Sequence, residues 1–270
     1  MKKYLTFIIV LPLIFSSCSK KEMTLNHNII VLGHGGMGIG QTYPMNTFES
    51  ILTCLNSGTD GSEIDVQLTK DGVLVAYHGQ DLSDETNLSG VINDYNWSEI
   101  KNAFYTSSPY LKYSILSLDQ LFANVPNFKD YKFSFDCKLY KSNNAINFKE
   151  AYINSLSEII AKYDLKSNVY IESQDTSFLI KLKEKDPDYK LFIYPSTFEN
   201  GLAIALALDL YGITISTKKV TREQVEEAHS NNLKVAIWNT HSKNKNINGV
   251  DKNPDFIQTD KVRYLVSLLK

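Results

Sequence analysis

Four side chains able to carry acid–base or metal chemistry lie in the first third of the chain: His34, Glu63, Asp65 and His78. Glu63 and Asp65 stand two positions apart, so in a β-strand both carboxylates point to the same face. Like charges side by side repel one another, and a divalent cation supplies a counter-charge. Two imidazoles flanking a carboxylate-held metal ion suit the general acid–base cleavage of a phosphate ester.

Three short apolar runs must position these side chains, and each run is predicted to be a strand: residues 29–32, 64–68 and 73–77. The first run leads to His34, the second contains both carboxylates, and the third leads to His78. A helical pattern from Asn46 to about Ser57 separates the first two runs. Active sites of parallel barrels form at the carboxyl ends of the strands, where both histidines are predicted to lie.

The setting of the acidic pair favours metal binding over a solvated surface. Two acids on one strand face are more often exposed, but Ile64, Val66 and Leu68 give this strand an apolar face that an outer helix must cover. The opposite face then lies inside a barrel, where unpaired carboxylates cost several kcal/mol. Each histidine alone has the alternative of a hydrogen-bonded core residue; two of them beside an acidic pair favour a site.

These residues and their flanks resemble the glycerophosphodiester phosphodiesterase family over roughly residues 29 to 265. The matching motifs are the His-Gly pair after the first strand, Pro44-x-Asn46-Thr47, Gly58-x-Asp60-Gly61-x-Glu63-x-Asp65-Val66, Leu68-Thr69-Lys70-Asp71-Gly72 and Tyr77-His78. Two positions depart from the family pattern. The family usually has His-Arg-Gly where this chain has His34-Gly35-Gly36, and Pro-Glu-Asn-Thr where this chain has Met45.

The resemblance implies hydrolysis of glycerophosphodiesters to glycerol 3-phosphate and an alcohol, with His34 and His78 as the acid–base pair. The family has Glu-x-Lys in a later strand, where this chain offers Asp136 and Lys138. By resemblance, one divalent metal ion, Ca²⁺ or Mg²⁺, is therefore held by three carboxylates: Glu63, Asp65 and Asp136.

Substrate contacts are predicted at Lys138, Trp238 and Gly35. Lys138 is implied to contact the phosphate, with a structural ion pair to Asp136 as the compatible alternative. Trp238 is either a wall for the head group or a plain core residue. A guanidinium grips phosphate bidentately and Gly35 cannot, so Lys138 or Lys218 is the candidate to compensate.

Strand and helix patterns alternate close to eight times after residue 29, which predicts an α/β fold of the TIM-type (β/α)8 barrel class. Nine extended runs are present, so one of them is expected to lie outside the barrel. A polar and aromatic stretch, residues 79–116, is predicted to be a small insertion after the third strand that helps form the substrate mouth. Residues 29–270 are predicted to form a single domain.

The amino terminus has the pattern of an export signal. Lys2 and Lys3 precede an apolar stretch and then Ser16-Ser17-Cys18. Residues 1–17 are predicted to be a signal peptide, with Cys18 lipidated as in bacterial lipoproteins and residues 18–28 as a tether. The protein is then expected on the membrane of the bacterial envelope, on the periplasmic or surface side, with simple secretion as the alternative.

Composition limits the classes of partner. A formal net charge of −2 gives no basic field, so nucleic-acid binding has no electrostatic support. Cys54 and Cys137 are predicted to be buried small apolar residues, because a domain of this size does not need a disulfide to fold.

Two other functions stay open: a non-catalytic phospho-ligand-binding lipoprotein, and a lyase like phosphatidylinositol phospholipase C or sphingomyelinase D.

Overall fold

A computed structural model of the chain describes residues 27–40, 42–107, 113–143 and 145–270. The predicted signal peptide, residues 1–17, and Cys18 lie outside the described residues, so their roles stay predictions. Within the described ranges, no helix has the length and apolar character needed to cross a bilayer.

Ten strands form in the described residues, and eight of them make a closed barrel. The strands are β1 (Ile30–Gly33), β2 (Gly61–Leu68), β3 (Leu74–Ala76), β4 (Leu116–Ser117), β5 (Lys132–Cys137), β6 (Val169–Ser173), β7 (Lys190–Ile193), β8 (Gly212–Ser216), β9 (Lys234–Thr240) and β10 (Phe256–Thr259). All except β3 and β4 pair in parallel in the order β1-β10-β9-β8-β7-β6-β5-β2, and β1 pairs with β2 to close the ring. The predicted TIM-type barrel is confirmed.

Helices cover the outer face of the barrel. In the part of the chain that the structure describes they are α1 (Phe48–Leu55), α2 (Trp97–Ile100), α3 (Leu118–Asn124), α4 (Phe148–Lys162), α5 (Thr176–Lys185), α6 (Phe198–Ala207), α7 (Arg222–Ser230), α8 (Lys243–Asp251) and α9 (Val262–Leu269), with 3₁₀ turns at Leu82–Asp84, Ile92–Asp94 and Phe128–Asp130. Ser117 and Thr221 cap α3 and α7 in capping boxes, as their sequences predict.

Two apolar layers explain why this alternation closes into a barrel. Outward-facing strand residues such as Ile64 and Val66 are fully buried beneath the helices in the main core. Inside the barrel, Tyr170, Phe192 and Phe256 pack against one another with ring centroids 4.7–6.0 Å apart. This aromatic layer fills the interior near the amino ends of the strands, so polar side chains collect at the carboxyl ends.

The third apolar run is not a barrel strand, which corrects the expectation that His78 ends a parallel strand. β3 pairs antiparallel with β2, with Leu74 opposite Leu68 and Ala76 opposite Val66. A parallel crossover needs a dozen or more residues, whereas the turn around Gly72 is far shorter and allows only a hairpin. β3 is therefore the extended run that lies outside the eight-stranded barrel, and β4 pairs beside it.

The insertion after β3 has a small core of its own. Tyr77, Leu82, Ile92, Ile100 and Tyr105 are buried together against β3. A short bridge between Thr86 and Tyr105 ties the two arms of the insertion to each other. The predicted mouth segment is thus a packed structure at the carboxyl end of the barrel.

Cys54 and Cys137 are both buried and carry free thiols, in agreement with the prediction that they are small core residues. Burial raises the pKa of the Cys54 thiol to about 12, and raises the pKa of Cys137 as well. Both side chains therefore stay uncharged at neutral pH.

Candidate active site

His34 follows β1 directly, and its imidazole is held by the residue that follows β10. Nδ1 of His34 lies 2.7 Å from Oδ1 of Asp260. A carboxylate only accepts hydrogen bonds, so Nδ1 carries the hydrogen and Nε2 is the nitrogen that can exchange a proton with a ligand. Burial would lower the pKa of His34, but the Asp260 hydrogen bond and the charges of Glu63 and Asp65 raise it to about 9.

His78 reaches the site by a different route, through the hairpin. The amide of Tyr77 donates to the carbonyl of Asp65 at 3.0 Å, so His78 stands at the level of the acids of β2. Its side chain is exposed. His34 and His78 both line one cavity of about 260 Å³ at the mouth of the barrel.

Three carboxylates converge beside the histidines. Glu63, Asp65 and Asp136 each offer one oxygen, and these oxygens all lie within 4.8 Å of one another. In-register pairing of β2 with β5 places Asp65 directly opposite Asp136. The Glu63 carboxylate accepts the amide N–H of Gly35 at 2.8 Å, which joins the β1 loop to the acid cluster.

The acid cluster has more negative charge than its protein partners neutralise. Burial and the neighbouring charge of Asp65 raise the pKa of Glu63 well above its ordinary value. Burial also raises the pKa of Asp136, partly offset by Lys138. For Asp65 the charges of Lys138, His78 and His34 outweigh burial and lower the pKa. Two buried carboxylates and a half-buried one, with a shortage of positive charge, fit a hard divalent cation.

Lys138 is the cation that the protein itself supplies to this cluster. Its ammonium lies 2.6 Å from Oδ2 of Asp136 and 3.0 Å from Oδ1 of Asp65. These carboxylates raise the pKa of Lys138 despite burial, so the side chain is charged. The structural ion pair foreseen between Lys138 and Asp136 is present, and it keeps a positive charge at the edge of the cluster.

Trp238 lies in β9 with its ring edge-on to Tyr194, at a centroid distance of 5.4 Å. Burial and the charge of Asp136 raise the pKa of Tyr194 to about 12. The indole Nε1 of Trp238 is buried without an acceptor in the part of the chain described. Lys218, by contrast, is exposed beyond β8.

Gly35 has no free backbone polar group. Its amide donates to Glu63, and its carbonyl accepts from the amide of Asn46 at 2.9 Å and from the hydroxyl of Ser50 at 3.1 Å. A substrate contact at Gly35 therefore stays a prediction. In the structure, Gly35 connects the loop after β1 to Glu63 of β2.

Two residues that sequence reasoning did not assign to the site hold it in shape. Asp260 orients His34 and also lies 3.1 Å from Nδ1 of His241. Asn46 makes two hydrogen bonds with Asp65. Its side-chain Nδ2 donates to Oδ2 of Asp65 at 2.8 Å, and its Oδ1 accepts from the backbone amide of Asp65 at 3.0 Å. The sequence carried signals for both: Asn46 lies in a motif that matches the family, and Asp260 directly follows the last barrel strand.

A second group of possible metal ligands lies at the amino end of the barrel, away from the histidine cavity: His27, His229 and Asp255. Here the Asp255 carboxylate already bonds the ammonium of Lys234 at 2.8 Å, the amide of Val235 at 2.8 Å and Nε2 of His229 at 2.8 Å. These contacts tie β9, β10 and α7 together and explain the cluster as a structural one.

Imidazoles positioned for proton transfer beside an acid cluster are the groups that phosphoester cleavage uses, and the class that this fold and site define is the TIM-barrel phosphodiesterases. Residues 37–263 match the model of the glycerophosphoryl diester phosphodiesterase family. The chain belongs to this family and is a phosphodiesterase-type enzyme. The matched range begins after His34, so the place of this histidine in the candidate site rests on its bond to Asp260 and on the cavity that it shares with His78.

Curated relatives and solved structures agree with the family. A glycerophosphodiester phosphodiesterase of Caldanaerobacter subterraneus is 25% identical over 245 residues, covering 89% of this chain and 98% of the relative. One from Bacillus altitudinis is 25% identical over 232 residues, covering 83% and 91%. An Oleispira antarctica phosphodiesterase, solved in complex with the product sn-glycerol-3-phosphate, has a TM-score of 0.76 at 21% identity, covering 88% of this chain and 95% of that one.

Proposed function

We propose that this protein hydrolyses glycerophosphodiesters to glycerol 3-phosphate and an alcohol by histidine acid–base catalysis assisted by a divalent metal ion. The observation that carries the proposal is that His34 and His78 share one cavity next to the acid cluster. Membership of the family supports the reaction class, and the product named for the Oleispira structure supports the choice of glycerol 3-phosphate.

In this proposal Glu63, Asp65 and Asp136 hold the cation. When bound, a Ca²⁺ or Mg²⁺ ion offsets the negative charge of the phosphoryl oxygens. Lys138 adds a positive charge next to these carboxylates, and its ion pairs with Asp65 and Asp136 hold the ammonium in place. Lys138 is therefore the residue proposed to replace the phosphate contact of the family arginine.

The two imidazoles divide the proton transfers. One takes a proton from the attacking water as its oxygen bonds to phosphorus. The other gives a proton to the alcohol oxygen as the bond from phosphorus to that oxygen breaks. Asp260 fixes the ring of His34 so that Nε2 is the exchanging nitrogen. Each transfer is typically worth about 10²–10⁴-fold in rate. Trp238 is proposed to form a wall for the head group with its half-buried ring.

The site of action is also a proposal. The basic start, apolar stretch and Ser16-Ser17-Cys18 support export followed by lipidation of Cys18. A lipid on Cys18 would hold the barrel at the membrane of the bacterial envelope. Labelling of the full chain with a radioactive fatty acid in a bacterial host, lost in Cys18→Ser, tests this part separately.

The reaction is tested with glycerophosphocholine and with bis(p-nitrophenyl) phosphate in the presence of Ca²⁺ or Mg²⁺. Glycerol 3-phosphate and choline are the expected products, and EDTA should abolish turnover. A cyclic phosphate product would show that the enzyme is a lyase and not a hydrolase. Binding of glycerophosphocholine without turnover under any of these metal conditions would instead make the protein a phospho-ligand-binding lipoprotein.

A further inference from the structure

A carboxylate that the catalytic proposal does not use faces the histidine cavity. Glu85 belongs to the insertion and lines the cavity together with His34 and His78. Among the described residues that line this cavity, Glu85 is the single acid. The other walls are largely aromatic and apolar, including Tyr43, Pro44, Met45, Ile39 and Tyr105.

The backbone around Glu85 is held firmly, so its side chain is presented from a fixed point. The carbonyl of Glu85 accepts the amide of Thr106 at 3.0 Å, and the next residue, Thr86, bridges to Tyr105. Tyr105 is nearly fully buried, and its hydroxyl donates to the carbonyl of Met45 at 3.2 Å. The insertion is thereby tied to the loop that follows β1, with the cavity between them.

Glu85 is half-buried, yet its carboxylate has no ion-pair or hydrogen-bond partner within the described part of the chain. Burial raises the pKa of Glu85; the charge of His78 lowers it, and the charge of Asp65 raises it. A half-buried carboxylate without a counter-charge, beside a site for anions, is unfavourable unless a ligand supplies the positive charge.

A phosphodiester carries one negative charge, so a carboxylate at the mouth repels a substrate whose alcohol is neutral. A substrate whose alcohol carries an ammonium group reverses the sign of that interaction. Tyrosine faces and a carboxylate are together the usual means of binding an ammonium in a partly desolvated pocket. The charge and composition of this cavity therefore select among glycerophosphodiesters by the charge of the head group.

We propose that Glu85, with the rings of Tyr43 and Tyr105, forms a head-group subsite for glycerophosphodiesters whose alcohol carries an ammonium group, such as choline or ethanolamine. This inference rests on the proposed function and deepens it. Glu85 and Tyr105 belong to the insertion and Tyr43 to the loop after β1, so the subsite sets the preferred substrate without entering the proton transfers.

The test compares two substrates that differ in the charge of the alcohol, glycerophosphocholine and glycerophosphoglycerol, with the metal-loaded full chain. Wild type is expected to have at least a tenfold higher kcat/KM for the choline substrate. Glu85→Gln should remove most of this preference by raising KM for glycerophosphocholine at least tenfold, with kcat little changed. Glu85→Asp should keep part of the preference because it keeps the charge. Glu227→Gln, an exposed acid on α7, is the matched control and should change neither substrate.

Inhibition by tetramethylammonium provides a second readout that does not depend on the choice of substrate. Tetramethylammonium should compete with glycerophosphocholine in wild type, and its affinity should fall at least tenfold in Glu85→Gln. Equal effects of Glu85→Gln on both substrates would assign the carboxylate to hydroxyl binding or to packing and overturn the subsite. Turnover of both substrates by wild type without preference overturns the subsite alone, whereas turnover of neither overturns the proposed function and the subsite with it.

Discussion

Met45 occupies the space beside Gly35 in which a side chain at position 35 would have to lie. A Cβ built on Gly35 would come within 2.7 Å of the Met45 methyl and 2.8 Å of the Met45 Cβ. Gly35 also has a φ of 53°, in the left-handed region that favours glycine. These are the two positions at which the motifs around the first strand and helix depart from the family pattern. The contact links the departures: with Met45 in place, this loop has no room for the usual arginine.

Substitution of Gly35 is expected to destabilise the protein without improving catalysis. Gly35→Ala should lower the free energy of unfolding by more than the about 1–2 kcal/mol that the left-handed conformation costs alone, because the new Cβ meets Met45. Gly40→Ala is the matched control, since Gly40 has a φ of 70° and nothing within 4 Å of its Cβ position. Urea unfolding of both variants measures the difference. Gly35→Arg with raised activity and unchanged stability would contradict the linkage.

Loss of His78 should remove catalysis while the fold and the cation site persist. His78→Ala is expected to lower kcat/KM for glycerophosphocholine by about 10²-fold or more, because one proton transfer loses its group. His229→Ala, which alters the histidine cluster at the amino end of the barrel, is the control for removing an imidazole and should retain turnover. Circular dichroism checks that both variants are folded. Near-normal turnover in His78→Ala would exclude the proposed role.

Removal of the Asp260 charge should lower the pKa of His34. Against the effect of burial, the hydrogen bond to Asp260 and the charges of Glu63, Asp260 and Asp65 together raise that pKa from 6.5 to about 9. In Asp260→Asn, measured by NMR titration of the imidazole in EDTA, the pKa is expected to move back towards 6.5. Asp251→Asn, an exposed carboxylate on α8, should leave it unchanged.

The same pair should make stability depend on pH in a defined direction. His34 has a higher pKa in the folded state, so its contribution is complete below pH 6.5 and is lost as the pH rises through about 9. The difference in unfolding free energy between wild type and Asp260→Asn, on the order of 2 kcal/mol, should therefore shrink across this window. A difference that grows with pH would show that another group dominates.

Divalent cations should stabilise the protein through the acid cluster. Ca²⁺ or Mg²⁺ at 100 times its Kd is expected to add about 2.7 kcal/mol to the unfolding free energy, seen as a rise in Tm that EDTA reverses. Asp136→Asn should abolish the rise, because the site loses one of three charged oxygens. His78→Ala should retain it. A rise of equal size in Asp136→Asn would place the cation elsewhere.

The barrel could be predicted because its signals are local. Ile64 and Val66 alternate with Glu63 and Asp65, and a strand of period two must send these pairs to opposite faces. The shared face of Ser134, Asp136 and Lys138 follows in the same way, and the structure keeps it: Ser134 bonds the buried Glu172 inside the barrel. The hairpin of β3 was missed, although the short turn after Leu68 carried the signal for it.

The amino-acid sequence by itself determined the strand and helix alternation, the faces on which the candidate site residues lie, and the resemblance that fits the reaction class. Only the tertiary structure decided which distant residues meet: Asp260 with His34 across 226 positions, Met45 against Gly35, and Glu85 on the histidine cavity. The physical reason is that periodicity acts over a few residues and sets the direction of a side chain. The partner of that side chain is set by closure of the barrel, which brings the last strand beside the first.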